Sequence, residues 1–475
     1  MASEWINARL GEYIDSCLGK MLDKNKNKGE LYPYLGNSNV RWGSFDLDDL
    51  AHMKFEKHEH ERYGIEYGDL IVCEGGEPGR CAIWEDDLPD MKIQKALHRV
   101  RTKDGLDSEF LYYWFLHSGR SGLLDAFFTG TTIKHLTGKA LKQLPIKIPP
   151  LQLQHQVARV LRPLDKKIKL NQQTNQTLEK MAQTLFKSWF VDFDTVVDNA
   201  LAAGNPIPDE LAHRVEVRKK AQALPDFQPL PEHIRKLFPN EFEQTGDPSV
   251  GIDGWVPKGW VLARLSDRCE LISGKSYKSS ELQPSDTALV TLKSFNRGGG
   301  YRLDGLKAYS GSYKDSQVVE AGDIVLSCTD VTQAAELVGR PALVASQASY
   351  KRLVISLDVI KVKPQSHKYF FYHLLAAKSF TDFALSHCSG TTVLHLKKKA
   401  IPSYGFAAPP DVIKDKFCEY VGPFHSKFDL NQQENVALLN TRDYLLPRLI
   451  SGEVQIDSTS GSNSEIIQEA ELQGV

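Results

Sequence analysis

A repeat at a constant offset of 260 residues limits what this chain can fold into more than any other feature of it. Gly130-Thr131-Thr132 falls on Gly390-Thr391-Thr392, His135-Leu136 on His395-Leu396, and Lys139-Ala140 on Lys399-Ala400. Pro149-Pro150 falls on Pro409-Pro410, Pro163 on Pro423, and Asn171-Gln172-Gln173 on Asn431-Gln432-Gln433, with no gap over about 60 residues. Towards the N-terminus the match continues with small length changes. Trp5, Arg9 and Leu10 correspond to Trp260, Arg264 and Leu265, and the run Tyr67–Val72 corresponds to Ala321–Leu326. The chain is therefore two copies of one unit, each a mixed domain of about 150 residues followed by a helix of about 40.

Inside each domain, short apolar runs bounded by Gly, Asp or Pro predict strands: Asp69–Cys73, Ile324–Cys328 and Leu353–Val362. The aromatic-rich runs Phe110–His117 and Phe370–Ala377 predict helices whose rings pack the core. After each double proline a heptad begins. In the first copy it selects Val157, Leu161, Leu164, Ile168, Asn171, Asn175, Leu178, Ala182, Leu185 and Trp189. In the second it selects Phe417, Val421, Phe424, Phe428, Asn431, Asn435, Leu438, Arg442, Leu445 and Leu449. Two such stripes in one chain predict two helices that pair as a coiled coil. Asn171, Asn175, Asn431 and Asn435 are polar exceptions that set the register at some cost in stability. Pro163 and Pro423 are expected to kink or restart the helices. From Pro163 to Trp189 a helix runs roughly 40 Å at about 1.5 Å per residue, close to the ~34–36 Å repeat of DNA.

Composition excludes several classes. No run approaches the ~18 apolar residues of a membrane helix, and no secretory signal opens the chain. The seven scattered cysteines form no CxxC pair or zinc spacing, which predicts reduced thiols in a cytoplasmic protein. The formal net charge of −2 does not itself announce a nucleic-acid binder. The halves differ, however: residues 1–150 hold 20 Lys/Arg against 23 Asp/Glu, whereas residues 256–408 hold 20 against 12. The basic excess of the second half favours contact with phosphates.

Catalytic motifs are missing. The double prolines continue as Pro150-Leu151 and Pro410-Asp411, so neither forms the Asn/Asp-Pro-Pro-aromatic loop of an adenine methyltransferase. Gly274-Lys275-Ser276 lacks the earlier glycine of a phosphate loop, because Cys269 stands there. Pro89-Asp90 is followed by no acidic-x-Lys that would complete a magnesium nuclease site. His135 and His395 have no carboxylate or cysteine partner at useful spacing, which leaves a structural role or a phosphate contact.

The Gly-Thr-Thr-x-x-His-Leu stretch closing each domain, the Pro-Pro that follows it and the heptad helix together resemble the specificity subunits of type I restriction-modification systems. The run Ser188-Trp189-Phe190-Val191-Asp192-Phe193 after the first helix adds to the resemblance. The resemblance covers nearly the whole chain; the helical segments match closely and the domains loosely. It implies an α+β architecture, with two pseudo-symmetric target-recognition domains joined by two long antiparallel coiled-coil spacer helices. The corresponding boundaries are a first recognition domain at 1–150, a spacer helix at 151–193, a linker with short helices at 194–255, a second recognition domain at 256–408, a C-terminal spacer helix at 409–450 and a disordered tail at 451–475. It also implies a non-catalytic DNA-binding subunit that reads a bipartite site, one half per domain, with the helices setting the distance. This chain would bind no cofactor and no metal. Two modification subunits using S-adenosylmethionine, and restriction subunits using ATP and Mg, would be its partners. The competing reading is a stand-alone duplicated DNA-binding module, a repressor or decoy.

A residue identical in both copies cannot explain how the copies read different sequences. Thr131, Thr132, His135 and Lys139, with Thr391, Thr392, His395 and Lys399, are therefore candidates for scaffold or DNA-backbone contact, and Lys134 on the same stretch, with Leu394 as its counterpart, is a further candidate. Base readout is expected from polar residues that differ: Asn37, Asn39, Arg41 and the loop Glu74–Arg80, including Arg80 itself, in the first copy, and Lys293, Asn296, Arg297 and Arg302 in the second.

Overall fold

The computed structural model describes residues 5–23, 27–331 and 334–454; the expected disordered tail lies outside the described residues from 455 onward. The chain forms two compact units. One comprises residues 1–170 and 435–475, the other residues 171–434. Each unit thus takes one part of each long helix.

The first unit is built on a four-stranded antiparallel sheet in the order Ile14–Leu18, Leu97–Thr102, Leu70–Cys73, Cys81–Ile83. Leu70–Cys73 is central and buried at all four positions, which is why its sequence is a continuous apolar run and not an alternating one. A two-stranded ribbon, Ile6–Arg9 against Pro145–Ile148, brings the domain's ends together. A smaller sheet of His52–Phe55, Glu30–Leu35 and Lys92–Ile93 carries one parallel pair. The helix Ser108–Arg120 starts where Asp107 accepts a hydrogen bond from the Phe110 amide (2.9 Å), and Phe110, Tyr113 and Phe115 go into the core as expected. Burying each such side chain contributes roughly 1.5–3 kcal/mol.

The second unit repeats that topology. Its main sheet runs Cys269–Ser273, Val359–Pro364, Ile324–Ser327, Pro341–Leu343. Val261–Arg264 pairs with Gly405–Ala408 as the equivalent ribbon. The helix Lys368–Ala376 occupies the place of Ser108–Arg120. The auxiliary sheet is larger here, with four strands around the parallel pair Thr287–Val290 and Arg352–Ile355. Residues 194–255, expected as a linker, are folded into this unit. Helices Asp194–Ala203 and Ala212–Gln222 are followed by a hairpin of Phe242–Gln244 and Trp255–Pro257, and Val196, Val197, Leu211, Ile234 and Phe238 join the main core.

The long helices run Leu151–Phe190 and Asp411–Ser451. In the first unit Val157 and Leu161 share a core with Leu445 and Leu449; in the second, Ala182, Phe186 and Trp189 share one with Phe417 and Val421. Within each unit, rising numbers on one helix meet falling numbers on the other, so the pairing is antiparallel. Neither Pro163 nor Pro423 restarts its helix. Both prolines are exposed, and Arg159, whose carbonyl loses its amide partner to Pro163, is exposed as well, so solvent can meet that group. The Ser188–Phe193 run ends the first helix in an aromatic cluster: Phe190 meets Phe370 at 5.1 Å and Phe417 at 5.2 Å between ring centroids. Asp192 and Asp194 close the turn by pairing with Arg214 at 3.1 and 2.5 Å.

The register asparagines lie on the paired faces. Asn431 donates to the Asn175 side chain (2.8 Å), Asn175 donates to the Phe428 carbonyl (3.3 Å), and Asn171 donates to Glu434 (2.8 Å). Asn435 is half-buried in the other unit. Arg442, a cation on an apolar stripe, is buried and donates to Asp165 (2.7 Å).

Candidate nucleic-acid interface

The repeated Gly-Thr-Thr stretch is the same hairpin in both units. Thr129 bridges His135 in the first, and Ser389 bridges His395 in the second, again offset by 260 residues. Gly130 and Gly390 sit at φ +92° and +110°, and a Cβ there would lie 2.3 and 2.0 Å from the carbonyls of Ile133 and Val393. Only glycine closes this turn, which explains the invariance of that position. Each hairpin has a main-chain bond to the end of a central strand, Leu136 N–H to the Glu74 carbonyl (2.7 Å) and Leu396 N–H to the Cys328 carbonyl (2.8 Å), and in the second unit Leu394–Leu396 also pairs with the strand Thr329–Asp330.

At the tips Thr131, Thr132, Thr391 and Thr392 are exposed. Lys134 lies over the Phe128 ring and 3.5 Å from Asp125. Lys139 and Lys399 are exposed and have no side-chain partner among the described residues. The His135 ring lies against Gly75; the His395 ring is 3.4 Å from the Thr329 hydroxyl. Both histidines are therefore packed against the loop that follows the central strand.

In the first unit that loop is Glu74–Arg80, and it meets the turn Asn37–Asn39. Arg80 carries the contact. Its guanidinium donates to the Asn37 carbonyl (3.1 Å), to Glu77 (3.1 Å) and to the Cys73 sulfur (3.7 Å), and its side chain is only 17% exposed. Asn39 is also occupied, accepting from the Gly36 amide (2.9 Å) and donating to the Asp46 carbonyl (3.0 Å). These two residues hold the loops, and apart from the buried Arg80 Nε the polar groups named here are engaged inside the fold. The Asn37 side-chain oxygen Oδ1 is buried with no partner among the described residues, and its side-chain amide nitrogen lies beside Gly76. Arg41 is half exposed, leaning on Asp46 (3.3 Å) and the Ser38 carbonyl. Trp42, which sequence reasoning passed over, donates its indole N–H to Glu77 (2.7 Å) and belongs to this surface.

In the second unit Lys293, Asn296, Arg297 and Arg302 fall on one hairpin, closed by Gly298, Gly299 and Gly300, all at positive φ. Lys293 is exposed and has no side-chain partner among the described residues. Arg297 is 75% exposed with one long contact to Glu336 (3.4 Å). Asn296 makes only a 3.5 Å contact to the Tyr301 carbonyl. Arg302 is clasped by Asp304 through two bonds (2.9 and 2.5 Å), and this hydrogen-bonded carboxylate raises the guanidinium's affinity for its proton. The loop after Ile324–Ser327, where Asp330 accepts from the amides of Leu337 (2.6 Å) and Val338 (3.4 Å), takes the place of Glu74–Arg80. It was missed, although matching the two central strands would have located it.

Among the described residues, no group of three or more His, Cys, Asp or Glu is placed to hold a metal, and no helix is long and apolar enough to cross a membrane. All seven cysteines are free thiols; burial pushes Cys73 up to about 11 and Cys269 up to about 12, so both stay protonated at neutral pH.

The family model of the type I restriction modification DNA specificity domain matches residues 2–180 and again residues 257–440. The chain belongs to this family. It is similar to the specificity subunit of the type I restriction enzyme HindI of Haemophilus influenzae, 29% identical across 95% of this chain and 100% of that one. It is also similar to the MjaIX specificity subunit of Methanocaldococcus jannaschii, 24% identical across 82% of this chain and 78% of that one. The crystal structure of the type I system S subunit from M. genitalium shares the fold, with a TM-score of 0.51 at 16% identity, covering 94% of this chain and 96% of that one. The chain is thus a DNA-specificity subunit, a non-catalytic component of a type I restriction-modification enzyme.

Proposed function

We propose that each of the two domains reads one half of a split DNA target, and that the two long helices set the length of the unread segment and dock two modification subunits. The observation that carries this reading is the pairing of constant and variable parts at one surface. The hairpin keeps Gly-Thr-Thr and His-Leu in both units, whereas the polar loops beside it differ in sequence, length and charge. A constant element suits phosphate positioning, which is indifferent to sequence, and a variable one suits base readout. Lys139 and Lys399, exposed at equivalent positions, are the proposed phosphate contacts. In the second domain Lys293, Asn296 and Arg297, which keep free or weakly held polar groups, are the proposed readers. In the first domain Arg41 and Asn37 take that role, with Asn39 and Arg80 as their supports. Methylation by S-adenosylmethionine, ATP-driven translocation and Mg-dependent cleavage belong to the partner subunits.

Methylome sequencing of a host expressing this chain with its modification subunits tests the reading; a split, adenine-methylated motif is the expected result. A continuous motif, or none while the complex assembles, would overturn it. At the residue level, Arg297→Ala should weaken binding to the methylated motif at least tenfold while leaving nonspecific binding nearly unchanged. Equal losses on both DNAs would remove Arg297 from the readers. The stand-alone module would be favoured by a chain that never co-purifies with a modification subunit.

A further inference from the structure

The second unit contains a recess enclosed by the helix Lys368–Ala376 and by both long helices, with Gly300 and Tyr301 of the Lys293–Arg302 hairpin in its lining. Its volume is about 200 Å³. That is below the ~300–1,000 Å³ of sites for drug-sized ligands and suits a single small ring system. Tyr369, Tyr372, Phe424 and Phe428 supply aromatic walls, and Tyr369 is stacked on His425 at 4.5 Å and 8°.

Two polar groups in the lining lack partners. Tyr301 is 3% exposed, and its hydroxyl has no hydrogen-bond partner among the described residues. Gln432 has a buried carbonyl oxygen that accepts nothing. A buried group left unpaired costs ~1–3 kcal/mol, so each gains from a bound water or ligand group that reaches it. The other polar groups are engaged. Asp429 accepts from the Ser346 amide (2.9 Å) and hydroxyl (2.7 Å), Glu179 accepts from Tyr372 (3.4 Å) and Gln183 (3.3 Å), and Lys368 lies over the Tyr369 ring. With two carboxylates against one ammonium, the recess does not favour an anion.

The equivalent recess of the first unit is partly filled. At the positions of Tyr369, Gly422 and Asp429 stand Glu109, Arg162 and Lys169. Arg162 pairs with Glu109 and with Glu85 (2.8 Å), Lys169 approaches Glu85 (3.8 Å), and about 90 Å³ remains.

We infer that the recess of the second unit is a binding site for one neutral, amino-substituted heteroaromatic ring of the aminopurine or aminopyrimidine class. The flat ring stacks among the tyrosine and phenylalanine walls, its amino group donates to Gln432 Oε1, and its ring nitrogen accepts from the Tyr301 hydroxyl. The inference is independent of which bases the domains read.

Calorimetric titration of the full chain with adenine and with cytosine tests it. One ring per chain is expected. Tyr301→Phe should weaken binding about fivefold to tenfold through loss of one hydrogen bond. Gly422→Arg, which copies the arginine of the first unit, should abolish it; the Cβ it adds meets only the Tyr369 ring edge at 3.6 Å. If Gly422→Arg does not fold, the isosteric Tyr301→Phe still decides. The inference is overturned if neither base binds at millimolar concentration, if Tyr301→Phe binds as the native chain does, if thymine binds as well as cytosine, or if a partner subunit's side chain fills the recess in the assembled enzyme.

Discussion

Where the first recognition domain meets the long helices, Tyr113 donates to Asp165 (2.8 Å), and Asp165 also accepts from the buried Arg442 (2.7 Å). At the equivalent positions of the second domain stand His373, His425 and Ala182. The two histidine Nε2 atoms lie 3.0 Å apart, and the cation is gone. Phe186, in place of Leu446, stacks on His373 (5.9 Å, 27°). One backbone arrangement therefore accepts a charged triad or a neutral pair. What both junctions keep is a hydrogen bond between the domain's helix and the long helix beside it. The constraint is that polar groups meet each other when water is removed, and the residue types are free within it.

If the first junction depends on charge, Arg442→Ala should have the largest effect of any change there. It leaves Asp165 half-enclosed without its cation, and a broken buried pair costs about 3–5 kcal/mol. Urea denaturation of the full chain reads this as a lower midpoint, and a loss under ~1 kcal/mol would show that the triad is ornamental. Tyr113→Phe removes one bond to a charged acceptor and should cost about 2 kcal/mol by the same measurement.

The second junction should differ by its response to acid. Burial pushes His373 down to about 3 and His425 down to about 4, from the ordinary 6.5. Between those values the unfolded chain binds more protons than the folded one. Stability from this pair is therefore complete above pH ~6.5 and falls as the pH drops toward 4. Expected is a loss on the order of 3–4 kcal/mol between pH 7 and pH 5, about 2 kcal/mol for each histidine, and smaller in His373→Phe than in the native chain. Equal acid sensitivity of the two proteins would locate the effect elsewhere, for instance at the buried His98 of the first unit, which is also held low by burial. The smallest effect is expected at the polar layer: Asn175→Leu with Asn431→Leu should change stability by less than about 1 kcal/mol, because both partners leave together. A broader thermal transition would reveal the lost register.

Much of this was legible along the chain. Period alone selects the stripe positions from Val157 to Trp189, and all are buried or half-buried. Helical period and ungapped repetition are local properties, and a side chain's place on a helix face follows from its number. The hairpin of Gly130 was legible for a similar reason, because a positive φ leaves glycine in both copies. The free and the spent polar groups of the loops were not legible. Arg80 and Asn37 are 43 residues apart in sequence, and nothing in either segment announces the bond between them.

The sequence by itself determined the duplication, the paired helices and the family, since each is carried by spacing that survives in one dimension. Tertiary structure alone decided that Pro163 leaves its helix unbroken, that residues 194–255 belong to a core, that Arg442 answers Asp165, and that of two equivalent recesses one is open while Arg162 narrows the other. Each of these depends on which groups exclude water from which others, and burial brings together residues that sequence order keeps apart.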